Sequence, residues 1–144
     1  VEDVAGWTAI NDGYNANPIS LRAALKAFAT WPAKGKRFLT IGPMLELGRL
    51  EREEHEQVGR FVATGKWAGV AVVPWKSPGD AAAKALVEGL QAAGYPAGNT
   101  CVARDHAEAA AWLRERISAG DALLLKASRG VRIEKVLEEL KKAN

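Results

Sequence analysis

WTAINDGYNANPISLRAALKAF (residues 7–28) contains the unit from which the whole chain is built. It opens on the run WTAIN (7–11), near-continuously apolar rather than alternating, as expected of a strand covered on both faces. It closes on a helical pattern, with Leu21, Ala24, Leu25 and Phe28 recurring at i, i+3, i+4 and i+7. Between them Asn17 precedes Pro18. A side chain that can accept from free amides, followed by a residue with no N–H to lose, reads as N-cap and first helical position. The unit is strand, polar loop, capped helix.

The same unit recurs along the chain. Further strand-like runs are RFLTIG (37–42), WAGVAVV (67–73), NTCVA (99–103) and DALLLK (121–126). Helical spacing returns in Ala83, Leu86, Val87 and Leu90, and again in Ile133, Val136, Leu137 and Leu140. Ser77 with Pro78 repeats the capping device, and Asp105 with Glu108 forms a capping-box-like start for a helix through Ala111 and Ile117. Gly94 and Gly120 stand where helices should stop. Strand–helix alternation of this kind predicts a single α/β domain over residues 1–144. The fold class is a three-layer, mostly parallel, doubly wound (Rossmann-like) sheet, with right-handed crossovers placing helices on both faces.

Composition excludes several function classes. The chain has 144 residues, 48% apolar and 26% charged, which is ordinary for a globular domain. The formal charge of +3 is mild and the basic residues are scattered among acids, so no nucleic-acid footprint is present. The one cysteine, Cys101, rules out an internal disulfide and a cysteine-based zinc site, and its apolar setting predicts a buried, inert thiol. No apolar run approaches the ~20 residues of a membrane span, and no signal peptide precedes the first strand, so membrane insertion is not expected. The chain begins at Val1, which points to a processed chain or a piece of a longer one.

In a doubly wound sheet, ligands bind beyond the carboxyl ends of the strands. Those loops read DGYNANP, GPMLELG, PWKSPGD, RDH and ASRG, and the first, second and fifth are densest in polar chemistry. None is a standard phosphate cradle. The two Gly-Lys pairs are followed by Arg37 and Trp67, and no two glycines lie two apart, so neither G-x-x-x-x-G-K-[ST] nor G-x-G-x-x-G occurs. The only histidines are His55 and His106, so there is no metal-binding histidine cluster.

DGYNANPIS, GPMLELG with HEQVG after it, and DALLLKASRGVRIEKVLEEL resemble the C-terminal domain of the Mur ligase family. The family motifs run D-[ST]-Y-N-A-N-P, G-D-M-x-E-L-G and K-G-S-R, and their order and spacing match along nearly the whole chain. Three positions depart: Gly13 replaces Ser or Thr, Pro43 replaces Asp, and Ala127 replaces Gly. A branch of the family that these motifs resemble adds D-alanyl-D-alanine to the UDP-MurNAc-tripeptide precursor of peptidoglycan, in the cytoplasm, with ATP and Mg. The resemblance implies that the phosphate loop and the magnesium ligands belong to a central domain. An N-terminal domain then holds the nucleotide sugar, and this domain closes over both. The isolated domain is then expected to be inactive, with no catalytic residue or metal ligand of its own.

The resemblance also assigns residues. Asp12 would accept from the ribose hydroxyls of ATP, and Tyr14 and Asn15 would line the interdomain cleft beside it. Lys126 joins these as a nucleotide-binding residue. Asn17, Glu46, Ser128 and Arg129 are the substrate-binding candidates. Lys126 and Arg129 suit either phosphate or the dipeptide carboxylate, since arginine can grip a carboxylate through two parallel hydrogen bonds. Structural readings stand beside these: Asn17 as helix cap, Arg129 paired with Glu134, and His55 as a satisfied core histidine sharing a face with Val58 and Val62. His106 reads as surface, the five tryptophans as packing, and EREEHE (51–56) as a solvated helix face. The alternative class is a stand-alone nucleotide- or peptide-binding module that kept the fold without ligase activity.

Overall fold

The structure is a computed structural model, and residues 1–13, 16–45, 47–75 and 80–142 are described. The strands are β1 (Glu2–Val4), β2 (Trp7–Asn11), β3 (Arg37–Ile41), β4 (Gly69–Val72), β5 (Thr100–Val102) and β6 (Ala122–Lys126). The helices are α1 (Pro18–Ala29), α2 (Glu51–Ala63), α3 (Ala81–Ala92), α4 (His106–Arg114) and α5 (Glu134–Lys141).

The strands form one sheet in the order β1-β2-β6-β3-β4-β5. From β2 to β5 all pairings are parallel, and only β1 runs antiparallel, against β2. The doubly wound, mostly parallel reading therefore holds. The last strand in the chain enters the middle of the sheet, between β2 and β3.

Side-chain alternation sorts the core into two layers. Leu39 and Ile41 of β3, Val70 and Val72 of β4, and Leu124 of β6 face α1, α2 and α3. Phe38, Ala71, Leu123 and Leu125 point the other way, onto α4 and α5. Because β3, β4 and β6 are covered on both faces, they are buried at nearly every position and mostly apolar. On the first face, α2 and α3 pack backbone to backbone. A Cβ at Gly59 would overlap the Leu86 carbonyl oxygen, and one at Gly89 would overlap that of Glu56.

Several expected boundaries change. β1 was not anticipated: EDV has no apolar signature, and a tight turn at Ala5 (φ 51°) and Gly6 (φ 90°) folds it back onto β2. Two positive φ angles match the right-handed twist of a two-residue hairpin. β5 is an edge strand, so Val102 is exposed rather than covered. Residues Ser77 and Pro78 lie outside the described residues; α3 starts at Ala81, with Asp80 as its cap accepting from the Ala83 amide at 2.9 Å. Gly94 (φ 87°) does end α3, whereas α4 stops at Arg114 and Gly120 serves the turn that leads into β6.

Candidate functional site

Strand order decides which loops meet. With β6 seated between β2 and β3, the loops after β2, β3 and β6 lie side by side at the carboxyl edge. These are the three loops that carry the motifs. Backbone bonds extend the ladder beyond the strands: the Asp12 amide donates to the Leu125 carbonyl at 2.9 Å, and the Gly42 amide to that of Lys126 at 3.1 Å.

Asp12 and Lys126 meet across this edge. The Lys126 ammonium donates to the Asp12 carboxylate at 2.9 Å. The lysine side chain is only 4% exposed while the aspartate is 47% exposed. A buried cation thus stands behind a carboxylate whose remaining acceptor positions face solvent, an arrangement suited to taking hydrogen bonds from ligand hydroxyls.

Ser128 ties the three loops together. Its hydroxyl accepts from the Leu45 amide at 2.8 Å and donates to the Ala16 carbonyl at 3.3 Å, while its own amide donates to the Pro43 carbonyl at 3.2 Å. The side chain read as a substrate contact is therefore buried and engaged with the loops on either side. Asn17 likewise works as a cap, its Oδ1 accepting from the Ser20 amide at 2.8 Å while Ser20 Oγ accepts from the Asn17 amide. Arg129 is exposed and, with Asn11, Gly13 and Glu134, lines a cleft of about 240 Å³ beside the Asp12 edge. The Glu134 carboxylate lies 3.8 Å from Arg132. Tyr14, Asn15 and Glu46 lie outside the described residues.

The departures from the family pattern have local reasons. A Cβ at Gly13 would sit 2.5 Å from Ile133 Cγ2, so the missing side chain makes room for a buried isoleucine. Ala127 is fully buried, and its methyl points inward at Gly42, where a Cβ would be 3.0 Å away. Pro43 is buried too, with its carbonyl taken by Ser128.

His55 is a satisfied core histidine, fully buried, as its helical spacing with Val58 and Val62 suggested. The Met44 amide donates to its Nε2 at 2.8 Å, and its Nδ1 lies 2.6 Å from the Glu51 carbonyl. Burial pushes the imidazole below its ordinary value, against the raising influence of the Glu51 carbonyl and the Glu51, Asp80 and Glu54 carboxylates. His106 is more engaged than a surface residue: its Nε2 donates to the Val131 carbonyl at 2.9 Å, tying α4 to the turn after β6. Cys101 is a buried thiol, pushed up to about 11 chiefly by burial, and is not a nucleophile at neutral pH.

Sequence reasoning missed two lining residues. Trp75, read as packing, is 42% exposed and lines a cleft of about 280 Å³ with Pro43, Leu45, Glu51 and Asp80. Asn11, read as the last strand residue, holds the Gly13 amide through its Oδ1 at 3.1 Å. No local pattern marks either residue; only the loop placement does. Among the described residues, no three His, Cys, Asp or Glu side chains converge as metal ligands, and no helix is long and apolar enough to cross a membrane.

The comparisons agree with the motif loops. The family model for the Mur ligase, glutamate ligase domain, matches residues 1–129. The chain is 31% identical over 136 residues to the UDP-N-acetylmuramoyl-tripeptide–D-alanyl-D-alanine ligase of Bacillus subtilis, covering 94% of this chain and 28% of that protein. It is 33% identical over 147 residues to the ligase of the same name from Mycobacterium tuberculosis, covering 94% and 29%. Among solved structures it is similar to the MurF ligase from Thermotoga maritima in complex with ADP, with TM-score 0.79 and 31% identity over 99% of this chain and 30% of that one. MurF from Acinetobacter baumannii superposes with TM-score 0.80 at 25% identity, over 99% and 29%. The chain thus spans less than a third of the length of these relatives. With the family motifs on three adjoining edge loops and the family match running through residues 1–129, this chain belongs to the Mur ligase family, as its glutamate ligase domain.

Proposed function

We propose that the chain is the C-terminal, closing domain of an ATP-dependent amide ligase that joins D-alanyl-D-alanine to the UDP-MurNAc-tripeptide precursor in the cytoplasm. The observation that carries this reading is the Asp12–Lys126 pair, which joins the first and last motif loops at the ligand edge with the carboxylate facing out. Two relatives more than 30% identical are named for that reaction, and a similar structure was solved in complex with ADP.

In this reading the tripeptide carboxylate is activated by ATP as an acyl phosphate, and the dipeptide amine displaces phosphate to form the amide. Asp12 receives the ribose hydroxyls. Lys126 fixes that carboxylate and adds positive charge at the edge. Arg129, beside Asn11 and Glu134, supplies a guanidinium for a phosphate or for the dipeptide carboxylate. Tyr14 and Asn15 remain candidates for the cleft wall, and Glu46 for substrate binding. In this reading the magnesium that accompanies ATP and the phosphate loop belong to the central domain, as the family resemblance implies.

The test is turnover by the polypeptide in which this domain follows the N-terminal and central domains. Asp12→Ala and Lys126→Ala should each lower the rate by about 10²-fold, or roughly 2.7 kcal/mol of barrier. Near-wild-type rates in both overturn the site assignment. Nucleotide or peptide binding by the chain alone, with no ligase activity in the longer polypeptide, favours the stand-alone binding module.

A further inference from the structure

We propose that His55 is a positioning residue for the ligand edge, holding the Pro43–Leu45 loop in place only while its imidazole is neutral. The tie itself is independent of the functional reading; its relevance to ligand binding rests on that reading.

The geometry fixes one tautomer. The Met44 amide can only donate, so Nε2, 2.8 Å away, must present its lone pair. The Glu51 carbonyl can only accept, so Nδ1, 2.6 Å away, carries the hydrogen. A proton added at Nε2 would set one N–H against another in a fully buried space. The Met44 amide would then lose its acceptor, and a buried backbone donor without a partner is unfavourable.

That bond is the middle of three consecutive anchors. Pro43 is held through its carbonyl by the Ser128 amide, Met44 through its amide by His55, and Leu45 through its amide by the Ser128 hydroxyl. Ser128 in turn reaches Ala16, on the loop that follows Asp12. Withdrawing the His55 acceptor therefore loosens the loop where Pro43 and Leu45 line the cleft shared with Trp75 and Asp80. The charged groups facing the ring are Glu51 and Glu54 from its own helix and Asp80 from the start of α3. All three favour the cation, while burial opposes it and dominates.

His55→Gln separates this role from mere packing. Glutamine Oε1 can accept from the Met44 amide and does not titrate. The experiment follows the His55 ring resonances and the amide-exchange protection factors of Met44 and Leu45 by NMR, on the chain itself, from neutral to acid pH. Protection at Met44 should fall at least ten-fold relative to Leu123 as the ring titrates. His55→Gln should keep that protection across the same range, and His55→Leu should lack it at every pH. Constant Met44 protection while the ring titrates overturns the proposal, as does equal acid loosening in His55→Gln. Should a variant fail to fold, the wild-type titration decides alone. The measurement needs no ligand, so its failure removes the tie and leaves the proposed function standing. Unchanged turnover in the Asp12 and Lys126 variants would do the reverse.

Discussion

The Lys126 ammonium and the Asp12 carboxylate lie 2.9 Å apart, with the cation buried and the anion half in solvent. The two ends of this pair are not equivalent. Asp12→Ala takes a counter-ion from a buried charge, which is among the more damaging single changes. Lys126→Met replaces the buried stem with an apolar one and leaves a carboxylate that water can solvate. Chemical denaturation should show Asp12→Ala less stable than wild type by about 1–3 kcal/mol, with Lys126→Met losing less. The reverse order would show that the lysine charge is held chiefly by other groups.

Acid should weaken the domain through His55. Its folded-state value is depressed by burial, whereas the unfolded chain titrates near the ordinary value of about 6.5. Between those two values the unfolded state binds more protons, so stability rises with pH. The contribution is complete above the unfolded value and is lost as pH falls toward the depressed folded one. Thermal midpoints measured from pH 7.5 downward should drop more steeply for wild type than for His55→Gln. Parallel curves would assign the acid sensitivity to other groups.

The α2–α3 crossing should be intolerant of a single methyl. Gly59→Ala and Gly89→Ala each drive a Cβ into the facing helix backbone, which cannot step aside as a flexible side chain would. Overpacking of this kind destabilises by about 1–3 kcal/mol. Gly98 is the control: a Cβ there meets nothing within 4 Å and the residue has no positive φ. Gly98→Ala should be neutral, or stabilising by about 0.4–1 kcal/mol through the unfolded state. Urea midpoints for the three variants check this directly.

Gly13 and Ile133 should behave as a coupled pair. Gly13→Ser alone meets Ile133 Cγ2, and Ile133→Ala alone leaves a cavity in a fully buried position. Together the two changes partly compensate. A double-mutant cycle should give a favourable coupling of about 0.5–3 kcal/mol, and strict additivity would show that the contact relaxes freely.

How far the fold was legible depended on where each strand sits. The runs at 37–42, 67–73 and 121–126 announced themselves because β3, β4 and β6 bury both faces. β5 borders solvent, so part of its apolar run is exposed, and β1 exists only because a tight turn delivers it to a partner. The Asn17 and Asp105 caps were readable because capping is local chemistry. The site was harder. Asp12 and Lys126 are 114 residues apart, and their meeting depends on β6 entering beside β2, which no local spacing encodes. Ser128 shows a further limit: the motif does not reveal that its hydroxyl is engaged with Leu45 and Ala16.

The placement of β6 also bears on how the domain comes to exist. β2 and β3 never pair with each other; each pairs with β6. A nascent chain made only as far as residue 120 can assemble β3, β4 and β5, but β2 and its hairpin have no parallel neighbour to join. The Asp12 loop is therefore without its frame until residues 122–126 emerge. Closing the gap demands contacts across more than a hundred residues, the kind of long-range pairing that slows folding. The segment that completes the ligand edge is thus also the one that lets the two halves of the sheet become one.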